Sequence, residues 1–262
     1  METSSITRLR SDKILRELRI AGKVSVDDLA QRIGVSTSTV RRNLQDLEYR
    51  GLLRRTHGGA IIVENLFYEP FRHVSSFHQQ EQLMQEEKRR IGLAAAELIA
   101  DGETISLCAG TTTTQVARSM RHRNGIKIIT NSVNIAMELS RRSDLQVVLT
   151  GGNLSGEWFA LTGAVAIQHV REYFVEKVFV GVDGIDAERG ITDDDPDEAA
   201  VHHAMLAQAK QRIVVADHTK LGQVETSLVW PMKGLDILVT DSHASTESLT
   251  PFRDNDIEVR LA

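Results

Sequence analysis

The sequence predicts an α/β protein of two parts: a small, mainly helical N-terminal part with a short hairpin, and a larger C-terminal part built on a largely parallel sheet. Apolar residues recur at helical spacing through the first fifty positions, and two β-compatible segments follow them. From about residue 104, short β-branched runs alternate with helical stretches, as in parallel α/β sheets. Charge divides the chain in the same way. Residues 1–63 carry 12 Lys+Arg against 7 Asp+Glu, a net of +5, and the rest carry 19 against 29, a net of −10.

Length and composition restrict the class of protein. The 262 residues suffice for two domains, and 41% are hydrophobic, enough for a buried core. No stretch approaches the run of about 18 apolar residues that a membrane helix needs, and the first residues lack the apolar core of a signal peptide. A single cysteine, Cys108, excludes an internal disulfide, and neither CxxC nor HExxH occurs. We therefore expect a cytoplasmic protein without a metal or cofactor.

Two helices are predicted before residue 35. Leucine and isoleucine at helical spacing mark the first between Thr7 and about Ile20, and Gly22 is a plausible stop. Ser25 is a good N-cap for the second helix, VDDLAQRI, whose early aspartates suit the helix dipole. Gly34 ends it and leaves room for a tight turn.

A third helix follows, capped by Ser36 or Thr37. Val40, Leu44 and Leu47 repeat at i, i+4 and i+7 and are expected to face the first two helices. A polar and cationic stripe then points outward, as a helix that reads the major groove of DNA requires. The candidate DNA contacts on this helix and its cap are Ser36, Thr37, Ser38, Thr39, Arg41, Arg42 and Gln45.

Two short β segments after Gly51, LLRRTHGGAIIV, predict a hairpin around His57, Gly58 and Gly59. After a helix-turn-helix, such a hairpin is typical of a wing. Its candidate DNA contacts are Arg54, Arg55, His57 and Gly58. The alternative is a three-helix bundle with a charged surface, whose hairpin binds protein rather than DNA.

The region after the wing predicts the domain boundaries. Residues 64–80 contain Pro70 and four aromatic residues without a clear period, which we interpret as a linker that docks through its aromatics. A helix is expected from about Glu81 to Ala100. The predicted organisation is a DNA-binding domain at 1–63, a linker at 64–80 and an α/β effector-binding domain at 81–262.

Polar loops are expected at the carboxyl ends of the parallel strands, where such sheets bind ligands. Gly110 and the threonines after it begin a helix whose free N–H groups suit a phosphate, although no P-loop motif is present. Two further polar turns, at Asn131–Ser132 and Gly151–Gly152, follow later strands. Asp183 could bind sugar hydroxyls, or it could simply be an aspartate in a turn. Lys220 could bind an anion, or it could be a solvated surface lysine. The candidates in these loops are Gly110, Thr111, Thr112, Thr113, Asn131, Ser132, Gly151, Gly152, Asp183, Gly184 and Lys220.

The acidic run 193–198 allows two interpretations, a cation site or a helix start. Asp195 as N-cap, Pro196 at the first helical position and Glu198 three residues after the cap favour the helix start over calcium. His202 and His203 are adjacent on that helix and diverge by roughly 100°. They are therefore not expected to share a metal.

The N-terminal block LAQRIGVSTSTVRRNLQDLEYRGLLRRTHGGA resembles the signature of the DeoR family of bacterial regulators. Asn43 stands where that family usually has aspartate, and we expect the loss of this charge to alter DNA affinity or register. The second half is similar to the family's effector domain, whose fold resembles that of ribose-5-phosphate isomerase. The resemblance implies a phosphorylated sugar, or a derivative, as ligand.

By the same resemblance, Gly110 to Thr112 would hold phosphate, Asn131 and Gly152 would line the pocket, and Asp183, Glu198 and Lys220 would meet the sugar. Two departures change the polarity of the expected pocket. Cys108 replaces a common aspartate and His202 a common lysine.

The function predicted is a sequence-specific DNA-binding regulator, most simply a repressor of a carbohydrate-metabolism operon that a phosphorylated sugar relieves. Operator double-stranded DNA, the effector and further copies of the chain, as a dimer or tetramer, are the expected partners, and no membrane is involved. One alternative is a sugar-phosphate isomerase using Asp183, Glu198 and His202 as acids and bases. Another is a redox sensor at Cys108.

Overall fold

The structure, a computed structural model, divides into two compact units, Met1–Pro70 and Phe71–Ala262. The description covers residues 10–11, 13–18, 21–49, 53–62, 76–120 and 123–262. Most of the predicted linker, including Phe67, Tyr68 and Pro70, lies outside these ranges.

The first unit combines helices with a small antiparallel sheet of strand order β1-β3-β2. Strand β1 was not predicted from the sequence, and it pairs with the second strand of the hairpin, which thereby becomes the central strand. The described elements are α1 (within 13–18), β1 (Lys23–Ser25), α2 (Val26–Ile33), α3 (Thr37–Tyr49), β2 (Leu53–Thr56) and β3 (Gly59–Ile62).

The capping residues of this unit are those predicted. The Ser25 side chain accepts a hydrogen bond from the Asp28 amide at 3.0 Å, and Gly34 ends α2 in the left-handed conformation at φ 73°. Val40, Leu44 and Leu47 of α3 are at most 1% exposed and pack with α1 and α2. The apolar face of α3 is thus buried, which leaves its other face to solvent.

The second unit is built on a seven-stranded, wholly parallel sheet with strand order β15-β14-β12-β9-β4-β5-β6. Its strands are the seven β-branched runs of the sequence. They are β4 (Thr104–Leu107), β5 (Lys127–Thr130), β6 (Gln146–Leu149), β9 (Val175–Val180), β12 (Ala209–Val215), β14 (Ile237–Thr240) and β15 (Glu258–Leu261).

Helices and short strands surround this sheet, and two apolar cores pack against it. The helices are α4 (Ser76–Gln82), α5 (Gln85–Glu97), α6 (Thr111–Ser119), α7 (Val133–Leu139), α8 (Ala164–Val170), α9 (Pro196–Ala207) and α10 (Thr246–Asp254). A hairpin and a small antiparallel sheet add β7 (Asn153–Ser155), β8 (Ala160–Thr162), β10 (Gly184–Asp186), β11 (Gly190–Asp193) and β13 (Ser227–Trp230).

The strand order reverses direction between β4 and β9. From β4 the chain moves through β5 to β6, and then it returns to the other side of β4 and continues through β9 toward β15. The connection after β4 and the connection after β9 run to opposite sides, which opens a crevice at the carboxyl ends of these two strands. The loop after β4, at Gly110, and the loop after β9, at Asp183, therefore lie side by side.

The single helix expected from Glu81 to Ala100 is wrong. Two helices, α4 and α5, are separated at Leu83 and Met84, and Met84 has a positive φ of 50°. Helix α4 begins at Ser76, inside the predicted linker, because Phe77 is fully buried and stacks edge-on against Phe159 at 5.5 Å. One aromatic of the predicted linker thus docks into the second unit.

Among the described residues, no helix is both long and apolar enough to span a bilayer.

Candidate functional site

The predicted recognition stripe lies on the exposed face of α3. Ser38, Arg41, Arg42 and Gln45 are all exposed, on the side opposite the buried leucines. Ser36 precedes the helix, and its Oγ accepts a hydrogen bond from the Thr39 amide at 3.3 Å. The turn and the first turn of α3 are therefore held in shape while the guanidinium and amide groups remain on the surface. Such groups can hydrogen-bond base edges and phosphates.

Asn43 does not lie on that stripe. Its side chain is 8% exposed, and its Nδ2 donates to the Thr39 carbonyl oxygen at 2.8 Å. The expected effect of Asn43 on DNA affinity or register stays a prediction, and a buried amide that bonds to its own helix would exert it through the packing of α3.

The wing is a tight hairpin. Thr56 pairs with Gly59, so His57 and Gly58 form a two-residue turn, with Gly58 at φ 87°. His57 and Arg54 are exposed. Arg55 is also exposed, but its Nε donates to Glu48 Oε2 of α3 at 2.6 Å, and its amide donates to Oε1 at 2.8 Å. Arg55 thus attaches the wing to the recognition helix.

In the second unit, a cavity of about 100 Å³ lies at the crevice between β4 and β9. Seven of the candidates from the sequence line it, and they come from the loops after β4 and β9, from α9 and from the turn after β12. They are Gly110, Thr111, Thr112, Asp183, Glu198, His202 and Lys220.

The N-terminus of α6 forms one wall. The first helical hydrogen bond runs from the Thr114 amide to the Gly110 carbonyl at 3.1 Å, so the amides of residues 111–113 precede it. Gly110 adopts φ 148°, in the region that favours glycine. Amides at a helix N-terminus are suited to binding an anion.

Two lysines add positive charge to the cavity. Lys220 Nζ lies 3.7 Å from Asp183 Oδ1. Lys88, on α5, is 2% exposed and donates from Nζ to the Gln80 carbonyl oxygen at 2.6 Å. Burial lowers its pKa to about 8, although the nearby carboxylate of Asp217 opposes the shift. Sequence analysis missed Lys88, because in the run EEKRR it is one charge among several.

Glu198 and His202 lie one turn apart on α9. Burial raises the pKa of Glu198 to about 7, against the effect of His202. His202 Nδ1 lies 2.8 Å from Asp193 Oδ2. Although burial lowers the pKa of His202, the Asp193 carboxylate raises it further, for a net rise. Among the described residues, neither Glu198 Oε1 nor His202 Nε2 has a hydrogen-bond partner, so both are available to a ligand.

The helix start predicted at the acidic run is confirmed. Asp195 caps α9 by accepting from the Asp197 and Glu198 amides, and Pro196 occupies the first turn. The remaining carboxylates of the cavity come from neighbouring loops, and sequence reasoning did not assign them to a ligand site: Asp193, Asp194, Asp195 and Asp217. Carboxylates accept hydrogen bonds from hydroxyl groups.

Several sequence candidates do not line the cavity. Asn131 Oδ1 accepts a hydrogen bond from the Ala109 amide at 2.8 Å, so it stabilises the loop after β4 that contains Gly110. Ser132 caps α7. Thr113 donates to the Gly110 carbonyl oxygen at 2.9 Å. Cys108 is fully buried 3.6 Å from the Met205 sulfur, and burial raises the pKa of its thiol. These residues shape the site rather than face it.

Three glycines have packing roles outside the cavity. A Cβ at Gly152 would meet the Thr162 carbonyl oxygen at 2.4 Å, and one at Gly184 would meet the Gln223 carbonyl oxygen at 2.5 Å. Gly151 faces Val165. Gly151 and Gly152 follow β6, at the edge of the sheet away from the crevice.

Helix α4 and the loop before β8 complete the cavity with Gln80 and Trp158, which sequence analysis also missed. The Phe77 amide of α4 donates to the Glu157 carbonyl oxygen at 3.1 Å. Helix α4, which begins inside the predicted linker, is thereby attached to the wall of the cavity.

Family models match both units. The model of the DeoR-like helix-turn-helix domain matches residues 10–65, and that of the DeoR C-terminal sensor domain matches residues 83–242.

Relatives match over almost the whole chain. The putative aga operon transcriptional repressor of Escherichia coli O157:H7 is 34% identical over 97% of this chain and 94% of its own length. The transcriptional repressor GlcR of Bacillus subtilis is 35% identical over 87% and 86%. Among solved structures, the sorbitol operon regulator SorC of Klebsiella pneumoniae matches at 12% identity and a TM-score of 0.39, over 76% of this chain and 86% of that one.

The family assignment thus rests on two domain models in the expected order and on relatives that match over 87% and 97% of the chain. Those relatives are named as repressors of transcription and not as isomerases. The chain belongs to the DeoR family, as a DNA-binding transcriptional regulator with a C-terminal sensor domain and not as an enzyme.

Proposed function

We propose that the chain is a repressor of a carbohydrate-metabolism operon, and that a phosphorylated sugar or sugar derivative in the cavity lowers its affinity for operator DNA. The observation that carries the proposal is the mixed lining of one cavity. Groups that can donate hydrogen bonds to an anion line one part of the cavity: the α6 N-terminus, Lys88 and Lys220. Carboxyl groups that can accept hydrogen bonds from hydroxyls, such as those of Asp183 and Glu198, line the same cavity.

That combination fits a ligand with a phosphate and several hydroxyl groups. A neutral sugar would leave the amides at the α6 N-terminus without an anion, and inorganic phosphate would leave Glu198 Oε1 without a hydroxyl donor. His202 Nε2 and Glu198 Oε1 supply further hydrogen bonds inside the cavity. The proposed ligand contacts are Lys88, Gly110, Thr111, Thr112, Asp183, Glu198, His202 and Lys220, while Cys108, Thr113, Asn131, Ser132, Gly151, Gly152 and Gly184 support the loops.

Repression, rather than activation, is supported by the names of the aga operon and GlcR relatives, which are both called repressors. DNA would be contacted by the exposed face of α3 and by the wing. Helix α4 is the proposed route between the two events, since Gln80 lines the cavity and Phe77, near the end of the predicted linker, is fully buried in the second unit.

We further propose that the repressor acts in the cytoplasm as an even-numbered oligomer. A single winged domain contacts few base pairs, and two-fold operators mirror the symmetry of the proteins that bind them.

Fluorescence anisotropy on a labelled DNA fragment from upstream of the chain's own gene tests the proposal. Small-molecule extract of the source cells is added, and the same extract treated with phosphatase is the matched control. Untreated extract is expected to weaken DNA binding, and treated extract is expected to lose that effect because phosphate recognition is removed. Equal effects of the two extracts, or no effect of either, would overturn the proposal.

A further inference from the structure

Two histidines and an aspartate meet beside the effector cavity without belonging to its lining. His218 begins a short 3-10 turn, His218–Lys220, after the carboxyl end of β12. Asp241 directly follows β14, and His243 comes two residues later. Because β12 and β14 are parallel neighbours, their carboxyl ends bring the three side chains together.

The ligand-type atoms of this cluster are close enough for a single ion. His218 Nδ1 lies 3.0 Å and His243 Nδ1 3.2 Å from the same oxygen, Asp241 Oδ2. All three side chains offer an atom within 4.8 Å of the others. Ligand atoms on a tetrahedral ion with bonds of about 2.0–2.2 Å are separated by about 3.4 Å. The cluster therefore needs only small side-chain movements to close on a metal.

Burial of the carboxylate distinguishes this cluster from ordinary surface charges. The side chain of Asp241 is 0% exposed, whereas those of His218 and His243 are 30% and 58% exposed. The amides of His218 and His243 donate to Oδ1 and Oδ2 at 2.8 and 2.9 Å. These bonds fix the orientation of the carboxylate, and both imidazoles, which are partly exposed, contact its Oδ2.

A possible fourth ligand, an oxygen atom, lies nearby on α5. Glu87 Oε1 is 3.6 Å from His243 Nδ1, and its side chain is 18% exposed. A rotation of Glu87 or a water molecule can complete four-coordination. Two imidazoles and one or two carboxylates suit Zn²⁺ and related transition metals, while Mg²⁺ and Ca²⁺ prefer oxygen donors alone.

We propose that His218, Asp241 and His243 form a binding site for a divalent transition metal, Zn²⁺ in the first instance, with Glu87 at its edge. Each imidazole binds the metal through neutral Nδ1, so uptake releases whatever protons those nitrogens carry. The metal fixes the start of the turn that ends at Lys220, a cavity residue, and so joins two strand ends beside the effector site.

In the alternative interpretation, the two imidazoles donate hydrogen bonds to the carboxylate and no metal binds. A zinc-binding measurement distinguishes these two interpretations. It uses the full chain, with any affinity tag removed and bound metal stripped by a chelator. The variant is His243→Ala, because this histidine is largely exposed and its loss is not expected to unfold the protein. The control is His169→Ala, on α8, whose ring contacts Tyr173 instead.

Competition with a chromophoric chelator is expected to show one Zn²⁺ per chain for the native protein and for His169→Ala, and at least about 10-fold weaker binding for His243→Ala. Co²⁺ is expected to give a visible absorption band that His243→Ala lacks. Circular dichroism checks that the variants are folded. The proposal is overturned if the native chain takes up no Zn²⁺ from micromolar solution, or if His243→Ala binds it as tightly as the native chain.

Discussion

On α3 the polar side chains project from one exposed face of a single helix, whereas in the effector cavity they come from several segments of the chain and include buried groups such as Lys88 and His202. An exposed arginine is already solvated, so its loss changes stability little. A buried lysine or glutamate has exchanged water for a few protein atoms, and its replacement changes the fold's energy as well as ligand binding. The two regions can therefore be separated by experiments that measure stability and binding side by side.

The largest effect is expected on DNA binding from changes on the exposed face. Arg41→Ala and Arg42→Ala should each cost about 1–3 kcal/mol of operator affinity, and the double variant more, with thermal stability nearly unchanged. Anisotropy over a range of salt concentrations measures both the affinity and the salt slope. Arg253→Ala, an exposed arginine of the second unit, is the matched control. Native affinity in the double variant would mean that another face of the unit reads DNA.

In the cavity, Lys88→Met should weaken effector binding by about 10- to 100-fold, the cost of one buried charge-assisted hydrogen bond. DNA affinity without effector should remain. The experiment is the extract titration of DNA binding, with exposed Lys233→Met as the control. If Lys88→Met responds to extract as the native chain does, Lys88 does not contact the anion.

A smaller and pH-dependent effect is expected at Glu198. The pKa of its carboxyl in the fold, about 7, is above the ordinary value of 4.5, so folding holds its proton more tightly. This stabilisation is present at low pH and is lost as pH rises toward and through 7. Glu198→Gln removes the ionisation and should be more stable than the native chain by about 1–3 kcal/mol at pH 8, with little difference at pH 5. Thermal unfolding at both pH values measures this, and a pH-independent difference would contradict it.

The smallest effect is expected at Cys108. Its thiol is fully buried and its pKa is raised by burial, so the reactive thiolate is suppressed. Peroxide should leave DNA affinity unchanged in both the native chain and Cys108→Ser. A loss of affinity that occurs only in the native chain would restore the redox-sensor hypothesis.

The contrast between the two regions also explains what the sequence predicted. The α3 stripe was found because helical periodicity is local: once Val40, Leu44 and Leu47 are assigned to the core, the opposite face follows. Periodicity alone did not show on which face residue 43 lies. Residue 43 lies at the border of the two faces, and the amide of Asn43 turns inward to the Thr39 carbonyl.

The cavity depends on strand order, which periodicity does not reveal. All seven strands of the sheet were predicted, but the reversal of strand order between β4 and β9 was not. This reversal brings the loops of Gly110 and Asp183 into the cavity, whereas Gly152 does not line it. Lys88 enters the cavity from α5, far from any glycine-rich loop. Motifs predict the loops of a site, and tertiary packing decides which of them meet.

The central claim is that ligand in the cavity controls DNA binding by the other unit. The most direct measurement is operator affinity of the native chain and of Lys88→Met across a titration with the untreated extract. The native chain should lose affinity as extract is added, while Lys88→Met should start from the same affinity and need about 10- to 100-fold more extract for the same loss. Superimposable curves for the two proteins, or a native curve that stays flat, would contradict the claim.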